Sequence, residues 1–223
     1  MGSPGNSVRN RAEICTGDHH SASQLVTWAA SSGRAKRRPR GRGENTGQIR
    51  GMVMISGRPA EAEDRAVPGH WEGDLIIGAG HQSAIGTLVE RSTRFVMLLH
   101  LPDGHGPGQV AAAMTEAMGG LPAAIRRSLT WDQGTEMSSH AQIALATDMD
   151  IYFCDPHSPW QRGSNENTNG LLRQYFPKGT DLSVHSPQHL QAVADELNGR
   201  PRKTLGWKTP AEALAEFLEG QAA

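Results

Sequence analysis

Trp71-Glu72-Gly73-Asp74-Leu75-Ile76-Ile77 is the stretch on which the fold turns. It belongs to a run from His70 to Ile77, closed by Gly78-Ala79-Gly80, that reads as a β-strand. Asp74 stands inside it. Aspartate is depleted in strands and costly to bury without a partner. Asp74 therefore either points outward together with Glu72, which shares its face by the strand period of two, or is retained for chemistry.

Working outward, Ala84 to Glu90 is a second strand, Arg91-Ser92-Thr93 a tight connection, and Arg94 to Leu101 a third strand. Connections this short favour an antiparallel meander. Pro107 to Met118 reads as an Ala-rich helix, Leu129-Thr130-Trp131-Asp132 as a short buried strand, Ser138 to Thr147 as a helix and Asp150 to Cys154 as a fifth strand. A helix is expected from about Arg162 to Tyr175, stopped by Pro177 and Gly179. Another runs from Pro187 to Asn198 behind Ser186 as N-cap, and the last from Pro210 to Leu218 behind Thr209. Met52 to Ile55 is a further short strand candidate. Three antiparallel strands followed by two that enter through helices predict an α/β fold of RNase H-like, retroviral-integrase type, with a mixed five-stranded sheet and flanking helices.

The net charge of −1 conceals a split. Residues 1–50 carry nine basic and three acidic residues, while 51–223 carry 13 basic and 20 acidic. The positive charge gathers in Arg34, Lys36, Arg37, Arg38, Arg40 and Arg42, a cluster suited to DNA phosphates or to a solvated tail. An acidic core is what a metal-using phosphodiester site requires, because carboxylates hold the ions that offset their repulsion for nucleic acid. The two cysteines, Cys15 and Cys154, form neither a disulfide framework nor a zinc pattern, and free thiols fit a cytoplasmic protein. No apolar h-region follows Met1 and no run approaches the ~20 apolar residues of a membrane span.

Three carboxylates then stand out. Asp132 ends a strand and opens a polar loop, where α/β sheets place ligands, although Gln133-Gly134 behind it would also suit a turn aspartate. Glu166 lies in the first turn of a helix, a position the helix dipole favours for any acid. The 33 residues between Asp132 and Glu166 supply a helix, a strand and a loop, enough to return Glu166 to the end of the Asp132 strand. Asp74, Asp132 and Glu166 together form a hard oxygen set suited to two Mg²⁺ ions, with Mn²⁺ as a substitute, clamping an in-line phosphoryl displacement. Arg173, seven residues after Glu166, shares its helix face and could meet a phosphate. Arg162 and Trp160 border the same loop as candidate DNA contacts, Trp160 alternatively packing as a core aromatic.

From about Arg58 to Leu214 the chain resembles the insertion-sequence-thirty family of bacterial transposases. The segments that carry the resemblance are Val67-Pro68-Gly69-His70-Trp71-Glu72-Gly73-Asp74-Leu75-Ile76, Leu129 through Glu136, Asp155 through Asn167 with Phe176-Pro177-Lys178-Gly179, and Leu197 through Trp207. The resemblance implies an integrase-type catalytic core in which Asp74, Asp132 and Glu166 are the catalytic triad and metal ligands, and Arg173 the basic residue after the glutamate. It implies cleavage at the ends of a mobile element and joining of the 3′-hydroxyls to target DNA, without a covalent protein–DNA intermediate. Mobile-element ends and target DNA are then the partners, and a homo-oligomer is the working form.

The expected organisation is an irregular or disordered segment over 1–33, a basic linker over 34–57 and the integrase-type core with its C-terminal helices over 58–223. Lys36, Arg37 and Arg38 of the linker are candidate DNA contacts. Residues 1–57 do not read as the helix-turn-helix region that precedes the core in the family, so a truncation, a frameshifted start or a degenerate copy is expected. A second reading follows from that: a non-catalytic relic or regulator that binds DNA or multimerises with full-length transposase. A third is a hydrolase of RNA–DNA hybrids, which would share the fold and the metals.

Overall fold

The strand that carries Asp74, β2 (His70–Ile77), lies in the interior of a mixed sheet. The computed structural model describes residues 49–63 and 65–222, so the segment 1–33, most of the basic linker, and with it Lys36, Arg37 and Arg38, lie outside the described residues. On one side β2 pairs antiparallel with β3 (Ala84–Glu90), which pairs antiparallel with β4 (Val96–Leu101). On the other side β2 pairs parallel with β5 (Ser128–Trp131), and β5 pairs parallel with β6 (Asp150–Phe153). A two-residue strand, β1 (Val53–Met54), adds to the far edge in parallel with β6. Among the described residues the sheet thus has six strands in the order β1-β6-β5-β2-β3-β4, not five. The extra strand arises from the Met52–Ile55 run, and pairing with Tyr152 and Phe153 of the distant β6 makes it a strand.

Parallel neighbours need crossovers, and helices supply them. Helix α1 (Pro107–Gly119) connects β4 to β5, and α2 (His140–Thr147) connects β5 to β6. After β6 come α3 (Gly163–Leu172), α4 (Pro187–Asn198) and α5 (Pro210–Ala222). Ser186 caps α4, its side chain accepting the N–H of His189. Thr209 and Glu212 form a reciprocal capping box on α5, at 3.1 and 2.8 Å. Helix α3 stops at Leu172, short of the Tyr175 expected from sequence. There Gln174 and Tyr175 bond three residues back, to Leu171 and Leu172, and this tightened turn carries Phe176 into the core.

The period of two along β2 divides its side chains between two cores. Trp71, Leu75 and Ile77 face α1 and α2, packing with Val110, Met114, Met118 and Ile143. Ile76 faces the opposite side, with Leu172 and Phe176 at and beyond the end of α3 and Leu190, Val193 and Leu197 of α4. Glu72 and Asp74 therefore point toward α3, not outward to solvent. Gly73 has a separate reason: a Cβ there would collide with the fully buried ring of Trp131. That contact sets the end of β5 tightly against β2. Among the described residues, no helix is long and apolar enough to cross a membrane.

Candidate active site

The register of β2 with β5 pairs His70 with Ser128, Trp71 with Leu129 and Glu72 with Thr130. Continued for two residues, it sets Asp132 beside Asp74. One cation joins them. The Arg162 guanidinium lies 3.2 Å from Asp74 Oδ1 through Nη1 and 3.2 Å from Asp132 Oδ2 through Nη2. Nη1 also donates to the Gly73 carbonyl at 2.8 Å. Asp132 accepts the backbone N–H of Gly134 at 2.9 Å, and Asp74 accepts that of Leu75 at 2.9 Å.

Charge and burial act in opposite senses here. Burial is the largest influence on Asp74 and raises its pKa above the ordinary carboxylate value, with Arg162 pulling the other way. Burial also works against the Arg162 charge, yet Asp74 and Asp132 together outweigh it and hold that guanidinium above its usual pKa. The asymmetry is physical: one cation serves two anions, so it gains twice where each carboxylate gains once.

Helix α3 covers this pair from the sheet face, and Glu72 places it. The Glu72 carboxylate is fully buried. It accepts the backbone N–H groups of Ser164 and Asn165 at 2.8 and 2.9 Å and pairs with Arg91 at 2.8 Å. A strand carboxylate thus caps the first turn of a helix remote in sequence, satisfying donors that have no partner inside the helix. Asn165 tightens the joint by donating to the Glu72 and Thr87 carbonyls.

From that anchor, Glu166, Asn169 and Arg173 follow at near-helical spacing along the Asp74 side of α3. Asn169 donates from Nδ2 to Asp74 Oδ2 at 3.0 Å. The Arg173 guanidinium reaches the Ile77 carbonyl at 3.4–3.5 Å and that of Phe176 at 3.3 Å. Glu166 is exposed on this face. The structure therefore joins two of the three expected carboxylates directly and puts the third on the facing helix, open to solvent. Among the described residues, no three His, Cys, Asp or Glu side chains close on a single point.

Arg162 was expected at the DNA; the structure turns it inward onto the two aspartates. Trp160 does not pack in the core: it is 71% exposed and borders a groove with Arg58, Arg65, Arg91 and Asp155. The loop that carries both residues is braced by Asp155 and Gln161, which exchange two hydrogen bonds at 2.8 and 2.9 Å. Sequence reasoning missed Asn169 and the anchoring role of Glu72. Asn169 had a signal, its spacing of three residues from Glu166; Glu72 had only its shared face with Asp74.

The oxygen set suits a hard divalent ion. Asp74 and Asp132 already converge on one cation, and Asn169 Oδ1 is buried beside Asp74 without a hydrogen-bond partner among the described residues. A cleft lined by Asp74, Asp132, Gly134, Glu136, His105 and Pro107 opens next to the pair. The arrangement can hold positive charge between β2 and the end of β5 and admit an anionic substrate to it.

Comparison with known proteins agrees. The family model described as an integrase core domain matches residues 64–159. The transposase for insertion sequence element IS1086 of Cupriavidus metallidurans is 58% identical over 186 residues, covering 83% of this chain and 55% of that protein. Transposase InsI for insertion sequence element IS30A of Escherichia coli is 43% identical over 196 residues, covering 88% of this chain and 51% of the relative. The transposase for IS4351 of Bacteroides fragilis is 35% identical over 201 residues, 90% of this chain and 61% of its own. The chain thus spans between half and two thirds of the length of these relatives. An integrase core implies dependence on a divalent metal in general.

Proposed function

This chain is a homologue of the insertion-sequence-thirty transposases and carries an RNase H-like integrase core, and on that premise we propose that it catalyses metal-dependent cleavage and strand transfer of DNA. The observation that carries the proposal is the pairing on one cation of Asp74, within β2, and Asp132, just past the end of the neighbouring parallel β5, with Glu166 on helix α3.

In this reading Asp74, Asp132 and Glu166 are the catalytic carboxylates and the ligands of Mg²⁺, two ions being the complement, with Mn²⁺ able to replace them. The ions, when bound, supply Lewis acidity and charge neutralisation at the phosphorus under attack. The protein's own groups orient and exclude. Glu72 fixes where α3 begins, and so where Glu166 stands relative to Asp74. Asn169 holds Asp74 in one rotamer. Arg162 holds positive charge on Asp74 and Asp132, where bound ions would share that role, and Arg173 offers a second cation toward a DNA phosphate. Trp160 presents an aromatic face to the substrate, and Lys36, Arg37 and Arg38 are further cations suited to DNA phosphates. The DNA partners are the ends of a mobile element and a target duplex. Joining two ends in one complex calls for at least two copies of the chain.

The test is Mg²⁺- or Mn²⁺-dependent nicking of DNA that carries element ends, comparing the chain with its Glu166→Gln variant. Nicking by the former and none by the latter supports the assignment. Equal nicking by both would remove Glu166 from the machinery, and no nicking by a folded, metal-saturated chain would count against catalysis.

A further inference from the structure

Helix α3 has a second polar flank. Glu166, Asn169 and Arg173 lie toward Asp74, whereas Ser164, Thr168 and Leu171 lie on the other side, roughly half a helical turn away. These residues line a small pocket with Asn167, Thr204 and two arginines, Arg94 and Arg202.

Both arginines are short of partners. Arg94 sits in the turn between β3 and β4 with a positive φ of 64°, and its guanidinium reaches the Ser164 hydroxyl. The acids behind it are committed elsewhere. Glu72 serves Arg91 and the α3 N–H groups, and Glu90 accepts from Gly69 N, Thr93 N and Thr93 Oγ1. Among the described residues, Arg202 makes one long side-chain bond, 3.4 Å to the Leu197 carbonyl, and its buried Nε has no partner. Neither arginine has a carboxylate within ion-pair distance among the described residues, and no acid lines the pocket. Burial lowers the pKa of both, with Arg65 and Arg200 as further like charges.

The base of Arg202 is held rigidly. Its N–H donates to the Lys208 carbonyl and its own carbonyl accepts from Trp207, both at 2.9 Å, closing the loop between α4 and α5. Two partly buried guanidiniums without an ion-pair partner among the described residues, one of them on the Ser164 hydroxyl, make a concave anion site, and arginine is the side chain best matched to phosphate oxygens.

We propose that this pocket binds a backbone phosphate of the DNA substrate, at a site separate from the scissile one and across α3 from it. The proposal rests on the function proposed above. An α-helix is about 10 Å across, close to the roughly 12 Å width of a major groove. The crest of α3 is low, since nothing lies within 4 Å of where Gly163 or Gly170 would carry a Cβ. DNA lying over that crest meets the carboxylates on one flank and Arg94 with Arg202 on the other.

The experiment measures binding of the full chain to a labelled duplex by fluorescence anisotropy, in EDTA, across a salt series. Arg202→Ala should weaken binding about tenfold irrespective of sequence, and flatten the slope of log K against log[salt] by about 0.9, the signature of one lost phosphate contact. Arg202→Lys should keep the slope and lose part of the affinity. Asn167→Asp, an exposed and nearly isosteric change at the rim, should weaken binding in the same direction even if Arg202→Ala melts early. A folded Arg202→Ala variant that matches the parent in affinity and slope overturns the pocket while leaving the catalytic reading intact. A parent chain that does not bind DNA overturns both. Inorganic phosphate bound at micromolar concentration and lost in Arg202→Ala, with DNA binding unchanged, would assign the pocket to free phosphate and overturn its role in holding DNA.

Discussion

The Glu72 carboxylate accepts the backbone N–H of Asn165 at 2.9 Å across 93 residues of sequence, so a buried acid on the central strand caps the helix that bears Glu166. Because the same carboxylate also holds Ser164 N–H and Arg91, removing it strands a buried cation and two helix donors at once. Breaking a buried pair from one side costs roughly 3–5 kcal/mol. Glu72→Ala should lose stability on that scale in urea unfolding and, at temperatures where it stays folded, should nick DNA far more slowly than the parent. A variant of parental stability would mean that Glu72 does not anchor α3.

Cys154 follows directly on β6 and borders the same cleft region as Asp132 and Arg162. Burial is the dominant influence and pushes its thiol up to about 11, with Arg162 opposing. At pH 8 about one thiol in a thousand is then ionised, and thiolate is the reactive form. In a Cys15→Ser background, alkylation by iodoacetamide should be at least ~100-fold slower in the native chain than in urea at the same pH. The linkage has a definite sign. The folded state holds this proton more tightly than the unfolded one. The stability it contributes is complete below the ordinary thiol value and drains away as pH rises through about 11. Rapid native alkylation at pH 8 would contradict this.

The strands were legible in sequence because short apolar runs bounded by glycine, proline or a tight Arg91-Ser92-Thr93 connection admit little else, and β2 and β3 begin and end where their residues predict. That Asp74 and Asp132 come together was legible from the strand pattern, which sets the end of β5 beside β2, although each acid alone also suited a plain reading as an outward strand residue or a turn aspartate. Arg162 was not, since an arginine beside a loop can turn either way and only the three-dimensional closeness of two carboxylates decides. Glu72 was hidden because the signal for a cap is local in sequence, whereas this cap comes from a strand on the far side of the core. The exposure of Trp160 was equally unreadable, a tryptophan after Pro159 being compatible with either surface or interior.

Arg162 neutralises Asp74 and Asp132 from within, its side chain only 11% exposed. Arg162→Ala leaves two carboxylates facing each other, and a charge-assisted hydrogen bond is worth about 1.5–3 kcal/mol. The metal-free variant should therefore melt below the parent. A divalent ion no longer competes with a guanidinium there, so Mg²⁺ should raise the melting temperature of the variant more than that of the parent. At a hundredfold excess over Kd, the linkage gain is about 2.7 kcal/mol. Equal Mg²⁺ responses in thermal melts would show that Arg162 and the ion do not share the site.

Asn169 offers the sharpest separation between a site built for a cation and a site that merely packs. Its Nδ2 donates to Asp74 while its Oδ1 is buried without a partner, an arrangement that costs about 1–3 kcal/mol unless something positive meets that oxygen. Asn169→Asp preserves the shape and places a carboxylate at both positions. Without metal it should destabilise the chain, because the donor to Asp74 becomes a like charge beside it. With Mg²⁺ or Mn²⁺ the same substitution adds a hard anionic ligand, so the loss should shrink or reverse, and the apparent affinity for the ion by calorimetry should rise several-fold. A purely structural Asn169 predicts otherwise: the destabilisation would be the same with and without the ion, and the affinity would not change.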